Sequence, residues 1–459
     1  MSHLNRRKFL QTTALAGAGV ALTTSQTLAS PEKKSFKPKA KLRIGVMGSG
    51  LRGQSHIDLL LRREDCEVPA IADIDDRMIA RTNVLFEKAG AKKPTVYKDG
   101  ERDYLRMLEK EDLDAVIIAT PWRWHTEMAV ESMKAGKYVG VEVCGAFSLD
   151  ECWQLVNTHE STGTHLMFLE NVCYRRDVMA VLNMVRQNMF GEMIHLEGGY
   201  QHDLREVKFN DGEKPYGGGV EFGPKAFHEA KWRTYHSVYR NGDLYPTHGI
   251  GPVAQYVNIN YGNRFLQLTS MASKARGLHD YIINHPKGGK DHPNAKVEFK
   301  LGDKITTNIL TQNGETIILH HDTNLPRPYS IGFRVQGTKG IWMDVNESLY
   351  IEGISPAHQW EEAESYLKKY DHPLWKKHEQ KAVGAGHGGM DYFLVNAFVE
   401  SAKQNITPPF DVYDAATWLA ITPLSEQSIA MGSMPVAFPD FTRGRWMNRV
   451  SDFGKGDVF

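Results

Sequence analysis

The residues with the clearest chemical meaning are Gly48-Ser49-Gly50-Leu51-Arg52-Gly53, which directly follow the apolar run Leu42 to Met47. A strand running into a glycine-rich turn and then an amphipathic stretch, His56 to Arg62, aims backbone N–H groups at a bound pyrophosphate. A second apolar run, Val68 to Ala72, ends in Asp73, roughly 20 residues beyond the last glycine, where a carboxylate accepts hydrogen bonds from the hydroxyls of an adenosine ribose. That carboxylate repels a 2′-phosphate, so the pattern favours NAD over NADP. A second constellation is dense in hydroxyl, aromatic and basic groups: Lys231-Trp232-Arg233-Thr234-Tyr235, then Tyr245-Pro246-Thr247-His248-Gly249. Aromatic faces stack on sugar C–H groups, and Arg, His and Tyr reach several hydroxyls at once, as a carbohydrate pocket requires.

The elements around these residues define the fold class. Ala115 to Thr120 is a continuous apolar strand of the kind a parallel sheet buries on both faces, and Pro121-Trp122-Arg123-Trp124-His125 leaves its carboxyl end, where open α/β sheets bind ligands. A helix over Thr126 to Ala135, a strand over Tyr138 to Val141 ending in Glu142-Val143, and a helix capped near Ser148 continue the βα pattern. From Gly191 the periodicity changes, with alternating stretches at Met193 to Tyr200, Phe265 to Met271, Ile305 to Leu310 and Thr316 to His321. The pattern predicts an α/β protein: an amino-terminal Rossmann dinucleotide-binding domain over residues 42–170, then an α+β domain over 171–459 with a mostly antiparallel sheet. Leu278 to Asn294, rich in Gly, Pro, His and Lys, is predicted as a long exposed loop.

With 55 Lys+Arg against 55 Asp+Glu in 459 residues, nothing in the bulk charge attracts nucleic acid or an anionic membrane. Four cysteines, at 66, 144, 152 and 173, show neither zinc-type spacing nor enough pairs to staple a chain of this length, so neither a metal nor a disulfide framework is expected. Asn5-Arg6-Arg7-Lys8-Phe9-Leu10 precedes a short run of small, apolar residues and then Leu28-Ala29-Ser30, the pattern of a twin-arginine export signal over residues 1–30. The run is too short and too weakly apolar to span a bilayer. A polar linker, residues 31–41, follows. The expectation is a periplasmic or extracellular mature protein, exported folded with its cofactor inside and free of the membrane.

Gly48-x-Gly50-x-x-Gly53, Asp73, the Ala119-Thr120-Pro121 turn with His125, and Glu142 together resemble the glucose-fructose oxidoreductase and inositol dehydrogenase superfamily. That resemblance implies a Rossmann domain followed by a domain built on an open, mostly antiparallel sheet, and pairing of such sheets in a homo-oligomer. Most dehydrogenases of the superfamily carry Glu-Lys-Pro at the strand end, the lysine helping to deprotonate a substrate hydroxyl. This chain has Glu142-Val143-Cys144 instead, which argues against plain alcohol dehydrogenation.

A closer resemblance rests on Glu142-Val143, Glu170-Asn171-Val172-Cys173-Tyr174-Arg175-Arg176, Gly198-Gly199-Tyr200-Gln201-His202-Asp203, Trp232-Arg233 and Tyr245-Pro246-Thr247-His248-Gly249. Together they are similar to the NAD-dependent α-N-acetylgalactosaminidases, which remove terminal N-acetylgalactosamine from glycans. The resemblance implies that Gly48, Gly50, Leu51, Arg52, Gly53, Asp73, Trp122, Arg123, Trp124, His125, Glu142, Val143 and Asn171 line the NAD site. It also implies that Tyr200, Arg233, Tyr245, Pro246, Thr247, His248 and Tyr329 line the sugar site. The implied chemistry is oxidation at C3 of the sugar, loss of the acidified C2 proton, elimination of the C1 leaving group, addition of water and return of the hydride, with no net redox change. His248 is the leading acid/base because imidazole titrates near neutral pH. Tyr200 is the candidate for C2 deprotonation with Tyr245 close behind, each needing a cation such as Arg233 to act as a base. His387, in Gly386-His387-Gly388-Gly389, either approaches the site or serves only where the following helix begins. Two other readings stay open: an exported NAD-dependent sugar dehydrogenase, and a sugar-binding protein that keeps its nucleotide as a structural element.

Overall fold

The computed structural model describes residues 41–456; the expected export signal lies outside them. Strands β1 (Leu42–Met47), β2 (Cys66–Ala72), β3 (Thr95–Tyr97), β4 (Ala115–Ile118), β5 (Tyr138–Glu142) and β6 (Leu166–Leu169) form a parallel sheet in the order β3-β2-β1-β4-β5-β6. Every residue of β4, β5 and β6 is buried, because helices cover both faces of such a sheet. The order reverses between β1 and β4, and the crevice beyond their carboxyl ends receives both the glycine turn and the Thr120–His125 turn. The first crossover helix starts at Leu51, inside the glycine motif, and ends at Leu61. Asp75 caps the next, Asp76–Lys88, by accepting from the Arg77 and Met78 N–H groups, and Ser148 caps Leu149–Thr162 in the same way through Glu151 N–H.

The second sheet contains β7 (Met193–Gln201), β8 (Phe265–Ala272), β9 (Lys304–Thr311), β10 (Thr316–Asp322), β11 (Arg334–Gly337), β12 (Gly340–Met343), β13 (Ser348–Ile351), β14 (Glu361–Glu362) and β15 (Val436–Ala437). Its order is β14-β13-β12-β11-β7-β10-β9-β8-β15, and all neighbours run antiparallel except β7 and β10. The four predicted strands are therefore β7 to β10, while β11 to β14, of four residues or fewer, are too short to show an alternation. The predicted loop at Leu278 to Asn294 is corrected: Gly277–Asn284 is a helix whose Leu278 and Ile282 are buried against Phe209, Val220 and Phe299. One apolar face of this short helix is hidden in sequence among polar neighbours.

Two packing features position the site. Helix Thr247–Tyr256 lies directly on β7, so closely that a β-carbon at Gly249 would stand 2.3 Å from Gly199 N. Helix Met390–Gln404 returns to the parallel sheet, where Phe398 sits against Gly140 and Tyr138. Segments far apart in sequence thus close over both ends of one crevice. All four cysteines are buried and free.

Candidate functional site

A cleft of about 1510 Å³ runs from Gly48, Gly50 and Leu51 at one end to Tyr200, Arg233, Tyr245 and His248 at the other. At the first end Gly48 and Gly53 are sterically required. Gly48 has φ +85°, and a β-carbon there would stand 2.6 Å from the Ala119 carbonyl; a β-carbon at Gly53 would stand 1.9 Å from the Gly48 carbonyl oxygen. Asp73, half-buried at the end of β2, accepts from Ser49 N–H (2.6 Å) and Ser49 Oγ–H (3.1 Å) through Oδ2, and from Asp75 N–H (2.8 Å) through Oδ1. Its carboxyl is thereby held to the glycine turn with lone pairs left over, so the cradle and the ribose acceptor of a dinucleotide site are built together. The residues present fit NAD.

Behind this end lies a charge network. Arg52 Nε donates to Glu142 Oε1 (2.6 Å) and Nη1 to Asp391 Oδ2 (2.7 Å), while His56 Nε2 is 2.7 Å from the same Glu142 oxygen. Asn171 Nδ2 donates to Asp391 Oδ1 (2.8 Å), and His387 Nδ1 lies 2.7 Å from Asp391 Oδ2. Burial opposes the Glu142 charge, but Arg52 and His56 more than offset it and hold the carboxyl down at about 2. Asp391 is likewise held well below the usual carboxylate range against its burial, by His387 and Arg52. Arg52 is correspondingly held above its ordinary value despite its own desolvation. Val143 N–H donates to Glu142 Oε2 (3.0 Å), and at this position, where most dehydrogenases of the superfamily carry lysine, the chain offers no titratable side chain to the cleft.

At the other end, the Tyr200 and Tyr245 rings stack with centroids 4.2 Å apart, and the His248 ring stands edge-on to both, at 5.4 and 4.8 Å. The Arg233 guanidinium lies 5.4 Å from the Tyr245 centroid and 4.8 Å from that of Trp122, and pairs with Glu229. Burial raises both phenols; Arg233 is the strongest influence pulling Tyr200 back, whereas Tyr245 is pushed well above its ordinary value. His248 Nδ1 donates to Oε1 of the fully buried Glu170 at 2.7 Å. This bond leaves Nε2 for the cleft, an arrangement able to carry acid/base chemistry.

The structure thus brings Gly48, Gly50, Leu51, Arg52, Asp73, Trp122, Arg123, Trp124, His125, Glu142, Val143, Asn171, Tyr200, Arg233, Tyr245 and His248 onto one cleft, with His387 at its wall. Several play parts other than direct lining. Gly53 packs against the Gly48 carbonyl, Pro246 and Thr247 are buried at the start of their helix, and Tyr329 is half-exposed, edge-on to Tyr200 at 6.4 Å. His125 is occupied by backbone, its ring nitrogens 2.8 Å from the Cys144 and Thr120 carbonyls. The Arg123 side chain pairs with Glu101 at the cleft's edge. Sequence reasoning assigned no role to Glu170, Asp391, His56 or His228. For Glu170 there was a signal: like Glu142, it is an acid directly after a fully apolar run.

A nucleotide cradle and an aromatic, cationic pocket sharing one cleft define a two-domain enzyme that acts on sugars with a dinucleotide at hand. Residues 42–169 match the oxidoreductase family with an NAD-binding Rossmann fold, and residues 174–448 match the glycosyl hydrolase 109 C-terminal domain. The chain is 53% identical to a glycosyl hydrolase family 109 protein of Stenotrophomonas maltophilia over 99% of both chains. It is 52% identical to an α-N-acetylgalactosaminidase of Tannerella forsythia over 98% of this chain and 99% of that one. Among solved structures, an inositol dehydrogenase homologue from Azotobacter vinelandii complexed with NAD+ shares the fold, with TM-score 0.62 at 17% identity over 88% of this chain and 99% of that one. The chain belongs to glycosyl hydrolase family 109: it is a glycoside hydrolase with an NAD-binding domain.

Proposed function

We propose that the protein removes terminal α-linked N-acetylgalactosamine from glycans through an NAD-dependent cycle without net redox change. The observation that carries this reading is the single cleft joining the dinucleotide cradle to Tyr200, Tyr245, Arg233 and the Glu170–His248 pair. The name of the Tannerella forsythia relative supports the sugar. When bound, NAD would supply reversible hydride transfer at C3 of the sugar, the C3 hydroxyl proton passing to water in the cleft and returning with the hydride.

The chain's own residues then divide the work. Tyr200 takes the C2 proton, with Arg233 stabilising the phenolate; Tyr245 stacks beneath it and orients the ring. His248 gives its Nε2 proton to the departing glycosidic oxygen and takes one from the incoming water, with Glu170 holding the ring at Nδ1 throughout. Arg52, fixed by Glu142 and Asp391, holds the cofactor end of the cleft. The twin-arginine pattern, which lies outside the described residues, supports export of the folded protein with NAD already loaded.

The test is incubation of the purified protein with p-nitrophenyl α-N-acetylgalactosaminide, following nitrophenol and free NADH together. Dye release with no accumulating NADH is expected. NADH without cleavage would replace this reading with a dehydrogenase, and neither signal with a binding protein. His248→Ala should lower cleavage by about 10³-fold, the scale of a lost general acid/base, while NAD stays bound.

A further inference from the structure

The nucleotide end of the cleft is lined in part by a segment of the second domain. Residues 227–231 are rooted in that domain by the buried Asn210, whose side chain donates to Phe227 O (2.7 Å) and accepts from Phe227 N–H (3.0 Å). Their side-chain contacts to the Rossmann domain fall on the amino-terminal ends of the two helices that follow β1 and β2. The Arg77 guanidinium lies 3.8 Å from the Phe227 ring centroid, and Lys231 Nζ donates to Asp75 Oδ2 at 3.1 Å. His228 Nε2 accepts Leu51 N–H at 3.2 Å.

That last contact is unusual. Leu51 N–H belongs to the first turn of the helix behind the glycine motif, the group a pyrophosphate oxygen takes in a dinucleotide site. The His228 ring also lies 3.3 Å from the place a Gly50 β-carbon would occupy. Because Nε2 accepts, the ring proton is on Nδ1, which is buried without a partner among the described residues. His228 reaches this place in the left-handed region, at φ +55°, a conformation that few residues other than glycine and asparagine adopt without cost. A strained residue, an unsatisfied ring nitrogen and an anion-seeking N–H therefore converge on one point.

We propose that residues 227–231 form a latch that retains NAD between turnovers, with His228 as a nucleotide-binding residue that gives up Leu51 N–H and turns a ring N–H toward the pyrophosphate. A net dehydrogenase must exchange its nucleotide on each cycle, whereas a cycle that regenerates the cofactor gains from keeping it. The proposal rests on that no-net-redox reading for its purpose, but its test reads nucleotide retention and needs no cleavage assay.

The purified full-length protein and the variants His228→Gly, His228→Asn and Lys231→Met are dialysed exhaustively, and their nucleotide is released and quantified per protomer. NADH dissociation is also timed by loss of energy transfer from tryptophan on mixing with a scavenging dehydrogenase. Glycine and asparagine both tolerate φ +55°, so their effects report the ring and not the backbone. Expected are near-stoichiometric nucleotide in the wild type and dissociation about tenfold faster in both His228 variants, the loss of one charge-assisted hydrogen bond. Lys231→Met should show a smaller acceleration. Thermal melts at saturating NAD that match the wild type would show intact folding. Wild-type retention in His228→Gly and Lys231→Met alike, or a wild type that loses its nucleotide on dialysis, overturns the proposal.

Discussion

Glu142 ends β5 and Glu170 directly follows β6, the neighbouring strand of the parallel sheet; both are buried, and their surroundings are opposite. Glu142 is saturated: Oε1 meets Arg52 and His56, and Oε2 takes Val143 N–H. Glu170 uses one oxygen for both Val172 N–H and His248; among the described residues Oε2 has no partner and the carboxylate's only ion-pair partner is His248. A permanent cation keeps Glu142 charged through any change in the cleft, so it serves as scaffold. In the proposed cycle the partner of Glu170 gains and loses a proton, and that reading makes Glu170 part of the chemistry. Two acids that look alike in sequence are separated by what the distant chain brings to them.

Breaking the scaffold half should have the larger effect. Glu142→Gln strips Arg52 and His56 of their shared carboxylate and should cost about 3 kcal/mol of stability, read as a lower urea midpoint, together with weaker NAD retention. Acid should erase this difference. The folded-state value of Glu142 is depressed, from 4.5 to about 2, so its contribution is complete above the unfolded value and is lost as pH falls through the folded one. The stability gap between wild type and Glu142→Gln should therefore close between pH 4.5 and about 2; a gap that persists at the acid end would mean the carboxylate is not what holds Arg52.

This contrast explains what could be read from sequence. Gly48, Gly50, Gly53 and Asp73 are legible because strand, turn, helix and strand follow one another within one local unit. Trp232-Arg233 and Tyr245–His248 are legible as a dense cluster of chemical types. Asp391 meets Arg52, and Glu170 meets His248, across hundreds and tens of residues, through the order of two sheets and the return of helix Met390–Gln404, and no periodicity encodes that. His228 is hidden for the same reason: an isolated histidine in a Gly- and Phe-rich loop acquires meaning only where the loop lands.

The catalytic half is tested by Glu170→Gln. The amide oxygen can still accept from Val172 N–H and from His248, so the ring keeps its orientation and loses only the negative charge beside it. kcat should fall about 100-fold, in the range of general acid/base contributions, with NAD content and the urea midpoint close to wild type. Glu142→Gln should show the reverse pattern. If both variants lose stability and both keep kcat, the division between scaffold and chemistry is wrong.

The smallest expected effect comes from Gly249→Ala, which touches neither carboxyl group. The added methyl would meet Gly199 N at 2.3 Å, and because the obstacle is backbone, helix Thr247–Tyr256 must move off β7, at about 1–2 kcal/mol for an overpacked contact. His248 rides on that helix and Tyr200 on that strand, so the shift loosens the 5.4 Å contact of their rings and draws Nδ1 from Glu170. Arg52, Glu142 and Asp391 lie on other elements and stay in place. kcat should drop about tenfold, as misplaced reacting groups do, while bound NAD remains at the wild-type level. Loss of the nucleotide instead would show that the two ends of the cleft are mechanically one unit, and that the helix on β7 supports both.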